Sequence, residues 1–246
     1  MKYGVFSDVH ANLPALEAVL AEFDKAGIDH FICCGDIIGY GPHAEACASA
    51  VRKLPNLIAV MGNHDKALSD PDILQFFSQE SVMPIVDANM YLSNQNILFL
   101  SELPNVYLSE TFSLVHGTFS DPFKEYLLTP AQFKLNKDEF PGSYCFIGHS
   151  HIPFIMCGHD EQHVSVELFP KEEVTIKFDP KKKYFINPGS VGQPRDHNPL
   201  ASAGIFDSDN NTFKLIRVAY DIKKVQEDMK KKGFSERLMN RLGKGV

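Results

Sequence analysis

No stretch of this chain approaches the roughly 18 consecutive apolar residues that a membrane helix requires. The opening run, Met1 to Phe6, turns polar at Ser7-Asp8, too soon for the apolar core of a secretory signal. Arginine is scarce: only five of the 24 basic residues are Arg, and the 31 acidic residues leave a formal charge of -7. That balance argues against a dedicated nucleic-acid binder. It leaves anionic small molecules open, because bound metals can make an acidic protein locally positive. Cysteine is limited to five residues, an odd count with no Cys-x-x-Cys pair, and Cys33-Cys34 lie together in an apolar run. These spacings read as buried free thiols of a reducing, cytoplasmic compartment. There is no internal repeat, low-complexity linker or shift in composition, so residues 1-246 are expected to form a single domain. The hydrophobic share of 44% is enough for a sizeable core.

What is present is a β-α-β-α-β pattern. Tyr3 to Phe6 is β-prone, and Leu13, Leu16, Val19, Leu20 and Phe23 then recur at helical spacing, with Asn12 as N-cap and Gly27 as stop. Phe31 to Cys34 reads as a second strand. Pro42 is expected to open a second helix running to about Leu54, and Leu57 to Met61 is the third strand. This order implies a parallel sheet covered by helices. From about Asp65 to Leu103 the chain reads as helical, broken at Pro71 and Pro84. Beyond that, strands are expected at Phe112 to Val115, Tyr144 to Ile147, Val164 to Leu168, Val174 to Phe178 and Tyr184 to Ile186. Ala203 to Phe206 and Phe213 to Val218 flank a turn at Asp207 to Asn211, and a lysine-rich helix follows from about Ile222.

The polar residues fall at the ends of these strands. Asp8 and His10 follow the first, Asp36 the second, and Asn63, His64 and Asp65 the third. His116 follows the Phe112 strand, His149 and His151 the Tyr144 strand, and Asn187-Pro188-Gly189-Ser190 the Tyr184 strand; five of the ten histidines are in this set. Ligands of open α/β sheets bind beyond the carboxyl ends of the strands, so these loops should converge. Each short motif alone is an ordinary polar turn. Their joint occurrence at successive strand ends is what signals a site.

In order, Asp8-Val9-His10, Gly35-Asp36, Gly62-Asn63-His64-Asp65, His116-Gly117 and Gly148-His149-Ser150-His151 resemble the motifs of the calcineurin-like metallophosphoesterase superfamily. The longer stretches Ser7 to Asn12, Gly35 to Pro42 and Asn187 to Arg195 look like its small prokaryotic, phosphodiesterase-like branch. The resemblance covers about residues 4-197. It implies an α/β/α sandwich, two mixed β-sheets flanked by helices. It also implies one metal on Asp8, His10, Asp36 and His151, and a second on Asp36, Asn63, His116 and His149. A bridging carboxylate can hold two cations about 3.5–4 Å apart, sharing a hydroxide nucleophile. Nitrogen and oxygen donors without cysteine suit two divalent transition metals (Mn, Fe, Zn, Co or Ni) better than Ca or Mg. By resemblance His64 is a general acid or positive hydrogen-bond donor near the leaving group, with Asp65 orienting its imidazole.

Substrate contacts are expected from Asn12, which is equally suited to capping the Leu13 helix. Tyr40 could offer a ring face to a base or leaving group, and Arg195 a guanidinium for phosphate. His30, His43, His159, His163 and His197 match no motif and read as structural or solvated, and the two Lys-Lys-Lys runs as solvated faces. The protein serine/threonine phosphatases carry an acidic residue and an arginine soon after Gly-Asp. Here that stretch is Ile37-Ile38-Gly39-Tyr40-Gly41. The expected function is therefore a metal-dependent hydrolase of small phosphodiesters, phosphomonoesters or nucleotides. A dinucleoside polyphosphate hydrolase or a protein phosphatase on the same site is the alternative. A non-catalytic scaffold of the same fold is disfavoured because no ligand position is missing.

Overall fold

The computed structural model describes residues 1-158, 164-168 and 173-246. The chain runs β1 (Lys2–Phe6), α1 (Leu13–Lys25), β2 (Phe31–Cys33), α2 (Ala44–Arg52) and β3 (Leu57–Ala59). It continues with α3 (Asn63–Lys66), a 3₁₀ segment (Pro71–Phe76), α4 (Gln79–Tyr91), α5 (Asn94–Ser101), β4 (Val106–Tyr107) and β5 (Ser113–Val115). Then follow α6 (Pro130–Asn136), β6 (Tyr144–Phe146), β7 (Phe154–Gly158), β8 (Val164–Leu168), β9 (Val174–Lys177) and β10 (Lys183–Asn187). β11 (Ala201–Asp207), β12 (Thr212–Val218), α7 (Ile222–Lys231) and α8 (Glu236–Leu242) complete it.

The strands form two mixed sheets, ordered β3-β2-β1-β11-β12-β9 and β4-β5-β6-β10-β7-β8. In the first, β1, β2 and β3 are parallel and β11 runs antiparallel to β1. In the second, β5, β6 and β10 are parallel and β7 is antiparallel to β10. Successive side chains on a strand point to opposite faces, and this period divides the core. Tyr3 and Val5 join Phe112, Phe146, Ile186, Phe206 and Phe213 between the sheets. Phe6 instead packs with Leu16, Val19 and Phe23 of α1 and Val51 of α2. Cys33 and Cys34 divide the same way, one to each core. Beyond the second sheet, Cys145, Met156 and Phe185 pack on Phe133 of α6. The layers are therefore helix, sheet, sheet, helix. Fully buried rings such as Phe6, Phe146, Phe206 and Phe213 contribute about 1.5–3 kcal/mol each, a reserve against which strained loops can be held.

Several boundaries differ from the sequence reading. Pro42 does not open α2, because the backbone on either side of it is pinned to the first loop: Gly41 N–H donates to His10 O (3.0 Å) and His43 N–H to Ala11 O (2.9 Å). The helix starts only at Ala44. Pro84 lies inside α4 and does not break it. β7, a buried apolar run, was not anticipated. Asn12 caps α1 as expected, accepting from Ala15 N–H at 3.3 Å. His159 and His163 lie outside the described residues. Among the described residues no helix is long and apolar enough to cross a membrane.

Candidate metal centre

The parallel strands of both sheets end at one place. Loops after β1, β2 and β3 supply Asp8, His10, Asp36, Asn63 and His64; loops after β5 and β6 supply His116, His149 and His151. The loop after β10 ties the two halves together. Ser190 Oγ donates to Asp8 O (2.8 Å), Gly192 N–H to the same carbonyl (2.9 Å), and Asn187 Nδ2 to Gly148 O (2.7 Å). All these polar side chains are buried.

The ligand atoms of Asp8, His10, Asp36 and His151 lie within 4.8 Å of one another, as do those of Asp36, His116 and His149. Asp36 belongs to both groups. Asn63 reaches the second, its Oδ1 lying 3.1 Å from His116 Nε2. Three of the histidines are aimed in the same manner. His10 Nδ1 donates to Ile38 O (3.1 Å), His116 Nδ1 to Cys34 O (2.7 Å) and His151 Nδ1 to Gln193 O (2.7 Å). Fixing the proton on Nδ1 leaves Nε2 as a lone-pair donor, the tautomer a metal needs. Without a cation these donors face each other: Nε2 of His10 and of His151 are 3.0 Å apart. Among the described residues, no hydrogen-bond partner is found for the buried His149 Nε2 or Asp8 Oδ2. Orphaned acceptors and apposed imidazole nitrogens are what a cation site looks like when only its protein groups are considered. The residues present therefore fit bound metal.

Local backbone geometry shows what the arrangement costs. Asp8, His10, Asp36, His149 and His151 have φ between +47° and +68°, a region uncommon for residues other than glycine, though Asp and His enter it more readily than most. Such conformations cluster where function fixes them. Gly62 leaves room for the shared ligand: a Cβ there would lie 2.1 Å from Asp36 Oδ1.

Electrostatics follow from burial. Burial pushes the Asp8 carboxyl up to about 7, with the neighbouring Asp36 charge adding to the rise. Burial also opposes ionisation of Asp36, but His116, His64 and His10 outweigh it and hold that carboxyl well below the usual range. His10 and His151 are driven far down by burial, and His149 to about 3 by burial and His116. These three imidazoles are neutral at pH 7, as ligands must be. His116 rises to about 9 despite burial, because Asp36 lies beside it, Nε2 to Oδ2 at 3.3 Å.

The remaining candidate residues divide. His64 borders the cluster, its ring 4.7 Å from that of His10 and 4.6 Å from Tyr40. Its Nδ1 is buried without a partner, and burial lowers its pKa to about 4. Asp65 does not orient this imidazole. Its carboxylate accepts from Ile37 N–H (3.0 Å), Ile38 N–H (3.2 Å) and Gly62 N–H (3.1 Å), binding the Asp36 loop to the Asn63 loop. Asn12 is likewise used within the protein, capping α1 and donating from Nδ2 to Gly192 O at 2.9 Å. That geometry favours the capping role over a phosphate contact. Arg195 extends over Tyr40, its Nη2 3.4 Å from the Tyr40 hydroxyl and 3.0 Å from Gln193 Oε1. Arg241 of α8 lies 6.0 Å from the same tyrosine ring.

Two residues by the centre carried no sequence signal. Tyr126 stacks on His149 with ring centroids 4.0 Å apart and planes at 13°, and Phe77 meets His64 edge-on at 4.7 Å. Both line a cavity of about 420 Å³ that also touches Tyr40, Asn63, His64 and His149. Neither belongs to one of the ligand-bearing motifs, so the motifs did not mark them.

Comparison with known proteins follows the same lines. Residues 1-211 match the model of the calcineurin-like phosphoesterase superfamily domain. An uncharacterized protein of Methanocaldococcus jannaschii is 36% identical over 97% of this chain and 96% of its own. The phosphodiesterase YfcE of Escherichia coli is 29% identical over 85% of this chain and 89% of its own. A metallophosphoesterase crystal structure from Sphaerobacter thermophilus superposes with a TM-score of 0.87 at 35% identity, covering 100% of this chain and 99% of that one.

Proposed function

Because this chain belongs to the calcineurin-like phosphoesterase superfamily and is a hydrolase of phosphoric esters, we propose that it cleaves small phosphodiesters or nucleotide-type esters at a centre of two divalent transition-metal ions. The observation that carries this reading is the Asp36 carboxylate, common to two groups of ligand atoms. One ion is assigned to Asp8, His10, Asp36 and His151, the other to Asp36, Asn63, His116 and His149. The nitrogen and oxygen donors suit Mn, Fe, Zn, Co or Ni. Metals bound there supply Lewis acidity at the phosphoryl oxygens and lower the pKa of a water nucleophile.

The protein's own groups do the rest. Backbone carbonyls keep His10, His116 and His151 in one tautomer and one orientation. His64, adjoining the cavity, is assigned to the leaving-group oxygen as a hydrogen-bond donor. Arg195 is assigned to a non-bridging phosphate oxygen, with Tyr40 holding the guanidinium in place. Asp65 serves as a positioning residue through the backbone of both metal-bearing loops. A diester is favoured over a phosphoprotein because the cavity beside His64 is aromatic and of small-molecule size. The named phosphodiesterase relative supports the same choice. Five free cysteines, four of them buried, support a cytoplasmic assignment.

The test is a turnover screen with bis(p-nitrophenyl) phosphate, p-nitrophenyl phosphate, nucleotides and a phosphoserine peptide, each with Mn, Fe, Zn, Co and Ni. Metal-dependent, chelator-sensitive diester cleavage is expected. Rapid peptide dephosphorylation with negligible diester cleavage under every metal would overturn the substrate assignment.

A further inference from the structure

Tyr126 lies in the loop between β5 and α6, outside every motif that supplies a ligand. Yet the loop is built to place it. Gly117 N–H donates to Pro122 O (3.0 Å), and Thr118 Oγ1 to Glu125 Oε2 (2.5 Å), folding the chain back after His116. The Tyr126 ring then lies flat on His149 and remains 40% exposed. On the His64 side Phe77 stands edge-on to the imidazole, and the neighbouring Phe76 is 59% exposed. Phe77 is half-buried against Ala67, Ile73 and Ile85, whereas Phe76 and Tyr126 are exposed. All three rings line one cavity together with His64 and His149.

A wall of this kind recognises a flat π-surface. Aromatic side chains stack on any base or aryl ring with little dependence on its hydrogen-bonding pattern. A sugar would gain more from polar groups, which this wall offers mainly at Ser78, Ser81 and Lys124, and an alkyl group has no π-face to stack. We infer that Tyr126 and Phe77 form a stacking subsite for a flat aromatic group, nucleobase or aryl, carried by the ester that the metal centre cleaves. The inference rests on the phosphoesterase reading above and narrows its substrate class.

The experiment is calorimetric titration of the manganese-loaded protein with ligands that cannot be hydrolysed. The first pair is the methylene phosphonate analogue of adenosine 5′-monophosphate against that of ribose 5-phosphate. The second is phenylphosphonate against ethylphosphonate. Each pair differs by its ring. A ring should tighten binding by about 5- to 150-fold, the range for one stacked base. Preference within the adenosine pair assigns a nucleobase, and preference confined to the phenyl pair assigns a small aryl group. No preference in either pair overturns the inference. Tyr126→Leu should abolish most of the preference and Tyr126→Phe should keep it, with metal content measured on each variant. If Tyr126→Leu loses its metal, Phe77→Leu provides the same comparison from the other loop. A wild-type preference that neither Leu variant reduces would also overturn the assignment of these rings. Failure of the parent reading is distinguishable: a protein that cleaves bis(p-nitrophenyl) phosphate yet ignores the ring refutes only the subsite. A protein that cleaves no ester with any metal refutes the phosphoesterase assignment for this site.

Discussion

Replacing Gly62 by alanine should dismantle the metal centre without removing a single ligand. An ideal Cβ at this position lies 2.1 Å from Asp36 Oδ1 and 2.3 Å from Asp36 N, whereas ordinary contact begins at 3.4 Å. The carboxylate must therefore retreat by about 1 Å, several times the roughly 0.2 Å that metal–ligand distances tolerate, and the backbone has no simple escape. Asp36 O is held by His10 N–H at 3.0 Å, and Gly62 N–H is itself bound to Asp65. Since Asp36 is common to both ligand groups, both ions should be weakened together. A displacement of this size is also enough to lower turnover by about 10²-fold. Gly39→Ala makes a matched control. There a Cβ would lie 2.1 Å from His64 Nδ1 at a φ of +93°, away from the shared carboxylate. It should reduce kcat while metal content stays at the wild-type level. Elemental analysis after metal loading, with kcat on bis(p-nitrophenyl) phosphate, reads both effects. A Gly62→Ala protein that holds its full metal complement and turns over normally would refute the argument that this close approach positions Asp36.

Other outcomes follow from the same geometry. His64→Ala should lower kcat by about 10²–10⁴ with metals retained, and the loss should shrink for good leaving groups such as p-nitrophenolate. An equal loss across a leaving-group series would show that His64 positions phosphate and gives no help to departure. His64 also has a stability signature in the metal-free protein. Burial holds its folded pKa at about 4, below the ordinary histidine value of about 6.5, so the unfolded chain binds the proton first and stability falls as pH drops below about 6.5. His64→Gln removes that penalty, so its stability relative to wild type should improve by about 2 kcal/mol between pH 7 and pH 5. Urea midpoints of both chelated proteins at the two pH values test this, and an unchanged difference would contradict it. Arg195→Ala should raise KM more than it lowers kcat, as loss of a ground-state phosphate contact does; a kcat effect alone would place its role in the transition state.

The convergence of the candidate ligand residues was legible in the sequence because they lie at strand ends, and strand ends are marked by apolar runs that stop. Asp8, Asp36, His116 and His149 each follow such a run directly or within three residues. The helix-covered parallel strands were legible in the β-α-β-α-β order, whereas the two-sheet sandwich came with the family resemblance. What escaped was decided by contacts distant in sequence. Asp65 looks like a partner for its neighbour His64, but its bonds reach Ile37 and Ile38, 28 and 27 residues away. Pro42 looks like a helix start until His43 is seen bound to Ala11. The cavity wall is the extreme case. Tyr126 reaches His149 from a loop with no repeating pattern, and stacking leaves no trace in residue spacing.

If Asp36 joins two metal sites in one chain, the protein saturated with manganese or zinc and freed of excess metal should carry close to two ions per chain by elemental analysis. Asp36→Asn should weaken both sites, and Asn63→Ala should mainly empty the second. One ion per chain at saturation, or an Asp36→Asn protein that still binds two with undiminished affinity, would contradict it.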